Sequence, residues 1–237
     1  MTKLTLLAID TSTEACSVAL LHQGEITHLD EVAQRTHTKR ILPMIDQILG
    51  QSGLRLNQLD ALVFGRGPGS FTGVRVGASV AQGLAFGVDL PVIAVSNLTA
   101  MAQAAYQQHQ AEQVLCAIDA RMNEVYFSAL KAEKVRLEIG EFLQWQEIIT
   151  EQVCSPQRLL EQANTLSGNW LTVGTGWQAY LSLNNVAKNS EITLPSAKYM
   201  LSVAVPMWFA KQTIAATEIE PVYLRNEVTW KKLPGRE

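Results

Sequence analysis

The 237-residue sequence predicts an α/β protein of two related lobes, each a mixed sheet with packed helices. Three observations predict it. Strand-like and helix-periodic segments mix in both halves of the chain, rather than segregating. Ala, Val, Leu and Gly carry most of the apolar content while aromatics make up only 7%, a composition suited to close helix–sheet packing. Finally, the chain is written twice. Ala8-Ile9-Asp10 returns as Ala117-Ile118-Asp119, and Leu62-Val63-Phe64-Gly65-Arg66-Gly67 returns as Leu171-Thr172-Val173-Gly174-Thr175-Gly176, both at an offset of 109. Two matches at one offset point to a duplication. The lobes are then 1–108 and 109–237, joined near Gln107–Gln113, with the C-terminal segment a candidate to pack back on the first lobe.

Each element has its own signal. Leu4 to Ile9 is an apolar run, Asp10-Thr11-Ser12-Thr13 a polar bend, and Cys16 to Leu21 a second β-rich run ending at the Gly24 turn, so the chain opens on a hairpin. Thr36 to Gly50 places Ile41, Ile45, Ile48 and Leu49 on one helical face, with Pro43 near its start, where proline costs little. Ala61–Phe64 is a strand, followed by a glycine-rich loop and a helix from Thr72 to Phe86. Pro91–Val95 is a strand, and a helix runs from Leu98 to Gln108. In the second half, Val114–Asp119 and Glu124–Leu130 repeat the opening hairpin, and another strand lies around Leu137–Leu143. Ser155 and Pro156 cap a helix to Ala163. Leu171–Val173 is a strand, and a helix from Ala197 to Thr213, kinked at Pro206, completes the second lobe.

Composition excludes several classes. No apolar run approaches the ~20 residues of a membrane span, and the N-terminus, entering a strand at once, does not read as a signal peptide. Cys16, Cys116 and Cys154 form no C-x-x-C pair and read as buried, reduced thiols in a cytoplasmic protein. Net charge is −3. The halves carry seven basic and eight acidic residues, then twelve and fourteen, so neither is a basic platform. The Lys231, Lys232, Arg236 tail is too small to change this. Any RNA contact is expected to be shared with a partner.

Three places could carry chemistry. Asp10, Thr11, Ser12 and Thr13 end a strand with a carboxylate, hydroxyls and amides, which can hold a phosphate and a magnesium-bound water. They can equally form an Asx/ST turn that caps only itself. Gly67, Gly69 and Ser70, within Gly65-Arg66-Gly67-Pro68-Gly69-Ser70-Phe71-Thr72-Gly73, precede a helix N-terminus in the manner of an anion cradle. The alternative is a tight turn capped by Ser70 or Thr72. Neither a Walker motif nor a G-x-S-x-G elbow is present. His37 has Ile41 four residues on, so the i, i+4 histidine pair that suits a metal is absent, and no metal site is expected.

One helix is unusual. From Thr72 to Val88 the only charge is Arg75. Gly73, Gly77, Ala81 and Ala85 recur every fourth residue as a small-residue stripe, with Val76, Val80 and Leu84 beside it. A helix apolar all round must be covered all round. It is either a buried central helix or one whose outer face meets a partner chain, together with the Ile41, Ile45, Ile48 helix.

The phrases LLAIDTSTEACSVAL, GRGPGSFTGVRVGASVAQGLA, AIDARMNEVYF, GTGWQAY and Glu220-Pro221-Val222-Tyr223-Leu224-Arg225 together resemble the bacterial TsaB (YeaZ) family, from residue 4 to about 226. The resemblance implies the two-lobed fold of actin, Hsp70 and hexokinase (ASKHA). It implies a non-catalytic, cytoplasmic subunit that works with TsaD, the transferase of threonylcarbamoyl groups to the adenosine beside the tRNA anticodon, and with the ATPase TsaE. TsaD-type proteins carry a pair of helical histidines for metal, and here that pair is broken. In the family the two first-lobe helices meet TsaD or a second TsaB. The implied interface is therefore Ile41, Ile45, Ile48, Gly73, Val76, Gly77, Val80, Ala81 and Leu84. tRNA is reached only through the complex. The cleft becomes a vestigial nucleotide site with weak affinity for ATP or ADP. Two rivals remain: a stand-alone ATPase or sugar-kinase-like enzyme of the same fold, and a peptidase, which no Ser/His/Asp or Cys/His pattern supports.

Overall fold

The computed structural model describes residues 4–33, 35–183 and 186–225. The Lys231, Lys232, Arg236 tail lies outside them. The first sheet holds β1 (Leu6–Asp10), β2 (Ala15–His22), β3 (Glu25–Val32), β4 (Ala61–Gly65) and β5 (Val92–Val95) in the order β3-β2-β1-β4-β5. The second holds β6 (Gln113–Arg121), β7 (Glu124–Leu137), β8 (Gly140–Cys154), β9 (Leu171–Val173) and β10 (Lys188–Asn189), in the order β8-β7-β6-β9-β10. Read from the matching edge, the two orders are the same. In each, an antiparallel meander of three strands continues into two parallel ones. The duplication seen in the sequence is thus a duplication of topology.

Strand alternation sorts the core into layers. Leu7, Ile9, Leu62 and Phe64 face α1 (His37–Gln51) and α2 (Phe71–Val88), and meet Ile41, Met44, Ile45, Ile48, Ala81 and Ala85. Leu6, Ala8, Val63 and Ile93 face the other way, onto Met200, Leu201 and Ala204 of α6 (Ala197–Phe209). The helix expected to complete the second lobe therefore covers the first sheet, and it stops four residues short of Thr213. In return, α3 (Asn97–His109), from the first half of the chain, packs Leu98, Met101 and Ala105 onto Val114, Cys116, Leu130 and Val173 of the second sheet. The outer face of that sheet is closed by α4 (Pro156–Ala163) and α5 (Gly176–Ala179) around Phe127, Leu159 and Trp177. Ser155 caps α4 as expected, its hydroxyl accepting from the Arg158 amide at 3.2 Å.

Two strand expectations need correction. β3 was not foreseen, because Glu25–Val32 is an edge strand whose mostly exposed residues carry no apolar alternation. The strand expected around Leu137–Leu143 straddles the turn of a long hairpin, β7–β8. The far end of this hairpin leaves its own sheet and lays Leu137, Phe142 and Trp145 on the back of the first lobe. Cys16, Cys116 and Cys154 are buried free thiols. Burial raises Cys16 to about 12 and Cys154 to about 11, so all three are unreactive. Among the described residues no helix is long and apolar enough to cross a membrane.

Candidate functional site

The carboxyl ends of the parallel strands converge on a cleft between the lobes, where open α/β sheets take their ligands. Its cavity measures about 790 Å³. Ser12, Thr13, Glu14, Arg35, His37 and Ser70 line it from the first lobe, and Asp119, Arg121, Tyr126 and Thr175 from the second.

Asp10 ends β1 but does not open into this cavity, being only 1% exposed. Asn97, also buried at the start of α3, donates from Nδ2 to Asp10 Oδ1 at 2.7 Å and to Ser12 Oγ at 2.6 Å. Ser12 Oγ donates to Asp10 Oδ2 at 3.1 Å. Asn97 Oδ1 accepts from the Gly67 amide at 2.8 Å, tying the glycine-rich loop into the same network. Among the described residues no cation is hydrogen-bonded to the carboxylate. Burial lifts its pKa from 3.8 to about 6, and the bonds from Asn97 and Ser12 only partly offset this.

The glycine-rich loop is likewise turned inward. The Ser70 amide donates to the Ser12 carbonyl at 2.6 Å, and Ser70 Oγ accepts from the Gly73 amide at 3.4 Å as the N-cap of α2. Thr11 Oγ1 donates to the Gly73 carbonyl at 2.7 Å. A Cβ at Gly69 would overlap the Ser12 carbonyl, and one at Gly73 the Thr11 carbonyl. These glycines serve the close approach of helix to strand end, with no phosphate needed to explain them. Of the two readings, the self-capping turn is the one the geometry favours. Thr11, Ser12 and Thr13 are buried, Gly67 is committed to Asn97, and only Ser12, Thr13, Gly69 and Ser70 reach the cavity wall.

The second lobe's bend is filled from elsewhere in the chain. Arg121, Met122 and Asn123 all have positive φ, near 60°, which turns this bend tightly. The Arg225 guanidinium sits in it, donating to the Ala120 carbonyl at 3.0 Å and to Glu124 Oε2 from two nitrogens at 3.0 and 2.5 Å. Arg121 lines the cleft but points outward, with its side chain 83% exposed and paired to Asp119 at 3.0 Å. Sequence reasoning quoted Arg225 within a family phrase but gave it no role. It missed Asn97 as a site residue altogether. His37 reaches the cavity, and its Nε2 is buried without a hydrogen-bond partner.

Six of the nine residues expected at the interface are buried within the chain's own first lobe. Ile41, Ile45 and Ile48 are 0%, 4% and 1% exposed, inside the first-lobe core. Gly73 and Gly77 lie against Thr11, and Ala81 is 0% exposed. The small-residue stripe faces the protein's own sheet, because only small residues allow α2 so near the Thr11–Ser12 turn. Val76, Val80 and Leu84 are half-buried at the edge of α2, next to an outer row that includes Phe86, 72% exposed; Leu42 on α1 is 50% exposed.

Fold and cleft together define an actin-, Hsp70- and hexokinase-like two-lobed protein whose strand-end chemistry has been closed from within. A family model described as TsaD: tRNA N6-adenosine threonylcarbamoyltransferase matches residues 27–222. The tRNA threonylcarbamoyladenosine biosynthesis protein TsaB of Haemophilus influenzae (strain Rd) is 68% identical over the whole of both chains. That of Escherichia coli K12 is 51% identical over 98% of this chain and 99% of its own. Among solved structures, YeaZ from Pseudomonas aeruginosa superimposes with a TM-score of 0.77 at 40% identity, covering 93% of this chain and all of its own. A structure described as an uncharacterized protein with similarity to peptidase YEAZ, also from P. aeruginosa, gives 0.82 at 42% identity, covering 94% and all of its own. The chain belongs to the TsaB family of tRNA threonylcarbamoyladenosine biosynthesis proteins.

Proposed function

We propose that the chain is the non-catalytic, cytoplasmic subunit of a tRNA threonylcarbamoyl transferase, supporting a TsaD-type catalytic partner and, through the complex, a TsaE-type ATPase. The observation that carries the reading is the sealed strand end. Asp10, which in a nucleotide-handling lobe would face magnesium, is bonded to Asn97 and Ser12 and buried. Arg225 fills the second bend. The cleft therefore does not fit a magnesium nucleotide, and affinity for ATP is weak, about millimolar, or about 4 kcal/mol. The broken histidine pair supports the same reading, since Ile41 stands in the core where a second ligand would be needed. Docking to the partner, or to a second copy, is assigned to the outer rows of α1 and α2 around Val76, Val80, Leu84, Phe86 and Leu42, where exposed apolar surface remains.

Reconstitution tests this. Purified TsaD-type and TsaE-type partners, tRNA and threonylcarbamoyl-AMP should give transfer only when this chain is added, and the chain alone should give none. Transfer by the chain alone, or full transfer without it, overturns the proposal. Calorimetric titration of the lone chain with ATP should show no micromolar site.

A further inference from the structure

We infer that the outer rim of the cleft, centred on Phe71, Arg75 and Tyr223, is a binding surface for single-stranded RNA. It would be the chain's own share of the tRNA contact. The inference rests on the function proposed above.

Phe71 and Tyr223 are large aromatic side chains left 64% and 47% exposed, yet both are held in place. Phe71 is the first residue of α2, and Tyr223 follows Val222, whose amide donates to the Arg66 carbonyl at 2.8 Å. The rings lie 6.4 Å apart, inclined at 48°. The Arg75 guanidinium stacks on Phe71 at 3.3 Å from its centre and lies 5.1 Å from that of Tyr223. Aromatic faces interleaved with guanidinium groups are what unpaired bases stack on, while the cations meet the adjoining phosphates.

The charge around the cluster suits the same ligand. Among the described residues, Arg75 and Arg35 make no ion pair, and Arg121 meets only its neighbour Asp119. Of the acids at this mouth, Glu124 is bound by Arg225 and Asp119 by Arg121, which leaves Glu14. A chain of net charge −3 has thus gathered exposed arginines at one edge of its cleft. The far end of the apolar docking row is separate, because Phe86 sits fifteen helical residues, roughly 22 Å, from Phe71, while its near end at Val76 borders the rim.

The test uses the full chain and a fluorescently labelled, unmodified anticodon stem-loop RNA at low salt. Phe71→Ala combined with Tyr223→Ala should weaken binding roughly ten-fold, as the loss of base stacking does elsewhere. Arg75→Ala and Arg121→Ala should each flatten the dependence of log Kd on log salt by about one phosphate contact. Phe71→Tyr should bind like the parent. All variants are first checked for an unchanged melting temperature and for capture by the TsaD-type partner. Unaltered RNA affinity in the aromatic double variant overturns the inference. So does loss of partner capture in these variants, which would assign the rim to a protein. RNA binding that depends on these residues, in a chain that fails to support transfer, would leave the surface standing and remove the proposed function instead.

Discussion

Asp10 is a buried carboxylate that makes no ion pair among the described residues, and its environment gives that a sign. Its folded pKa, about 6, lies above the ordinary 3.8. The favourable, protonated contribution is complete below pH 3.8 and is lost as pH rises through 6, so at neutral pH the ionised group costs on the order of 3 kcal/mol. Asp10→Asn keeps an acceptor for Asn97 and removes the charge. At pH 7.5 it should raise the melting temperature by roughly 6–12 °C, and the gain should shrink below pH 6 and disappear near pH 4. A parallel pair of melting curves across that range would contradict the buried-charge account. Asp10 was legible in the sequence, since a carboxylate closing an apolar run before three hydroxyl residues is a local pattern. Asn97 and Arg225 were not, because they act across 87 and 101 residues on partners that only the folded chain supplies.

At the level of elements, α2 shows what periodicity can and cannot say. Its existence and extent were readable, but with a single charge in eighteen residues it carries little information about which side faces in. Side-chain size decided the question, through the Thr11–Ser12 turn that no spacing rule reveals. Two substitutions on this helix should therefore behave in opposite ways. Ala81→Glu buries a charge against β-sheet and core and should unfold the protein, at a cost of several kcal/mol. Phe86→Glu should melt within about 0.5 kcal/mol of the parent, as exposed substitutions usually do, and lose capture of the TsaD-type partner. If Phe86→Glu is captured normally, the outer row of α2 is not the docking surface. The long β7–β8 hairpin escaped notice for a related reason: beyond Leu130 its residues alternate between solvent and a surface contributed by the other lobe.

For the whole molecule, the repeat made two lobes legible, but their mutual embrace was not. α3 leaves the first half of the chain to fill the second lobe, α6 returns from the second half to fill the first, and the hairpin tip lies across both. Arg66, on the glycine-rich loop, pairs with Glu151 of β8 at 2.9 Å, where Glu151 is 7% exposed and also receives the Ser96 hydroxyl. Calorimetric unfolding should accordingly show one transition, not two. Arg66→Ala, which strands the Glu151 charge, should lower that transition by on the order of 3 kcal/mol without splitting it. Two resolved transitions would show that the lobes fold as separate units.

The exchange of α3 and α6 has a mechanical meaning as well. Lobes that close on a ligand turn about a hinge of a few connecting residues. Here each lobe keeps part of its core inside the other, so a rotation would have to tear packed apolar surface at two places at once. Packing at both exchanged helices therefore opposes closure of the cleft. Under the function proposed above, the work that ATP performs in threonylcarbamoyl transfer would fall to the partner subunits, with this chain as the surface against which they move.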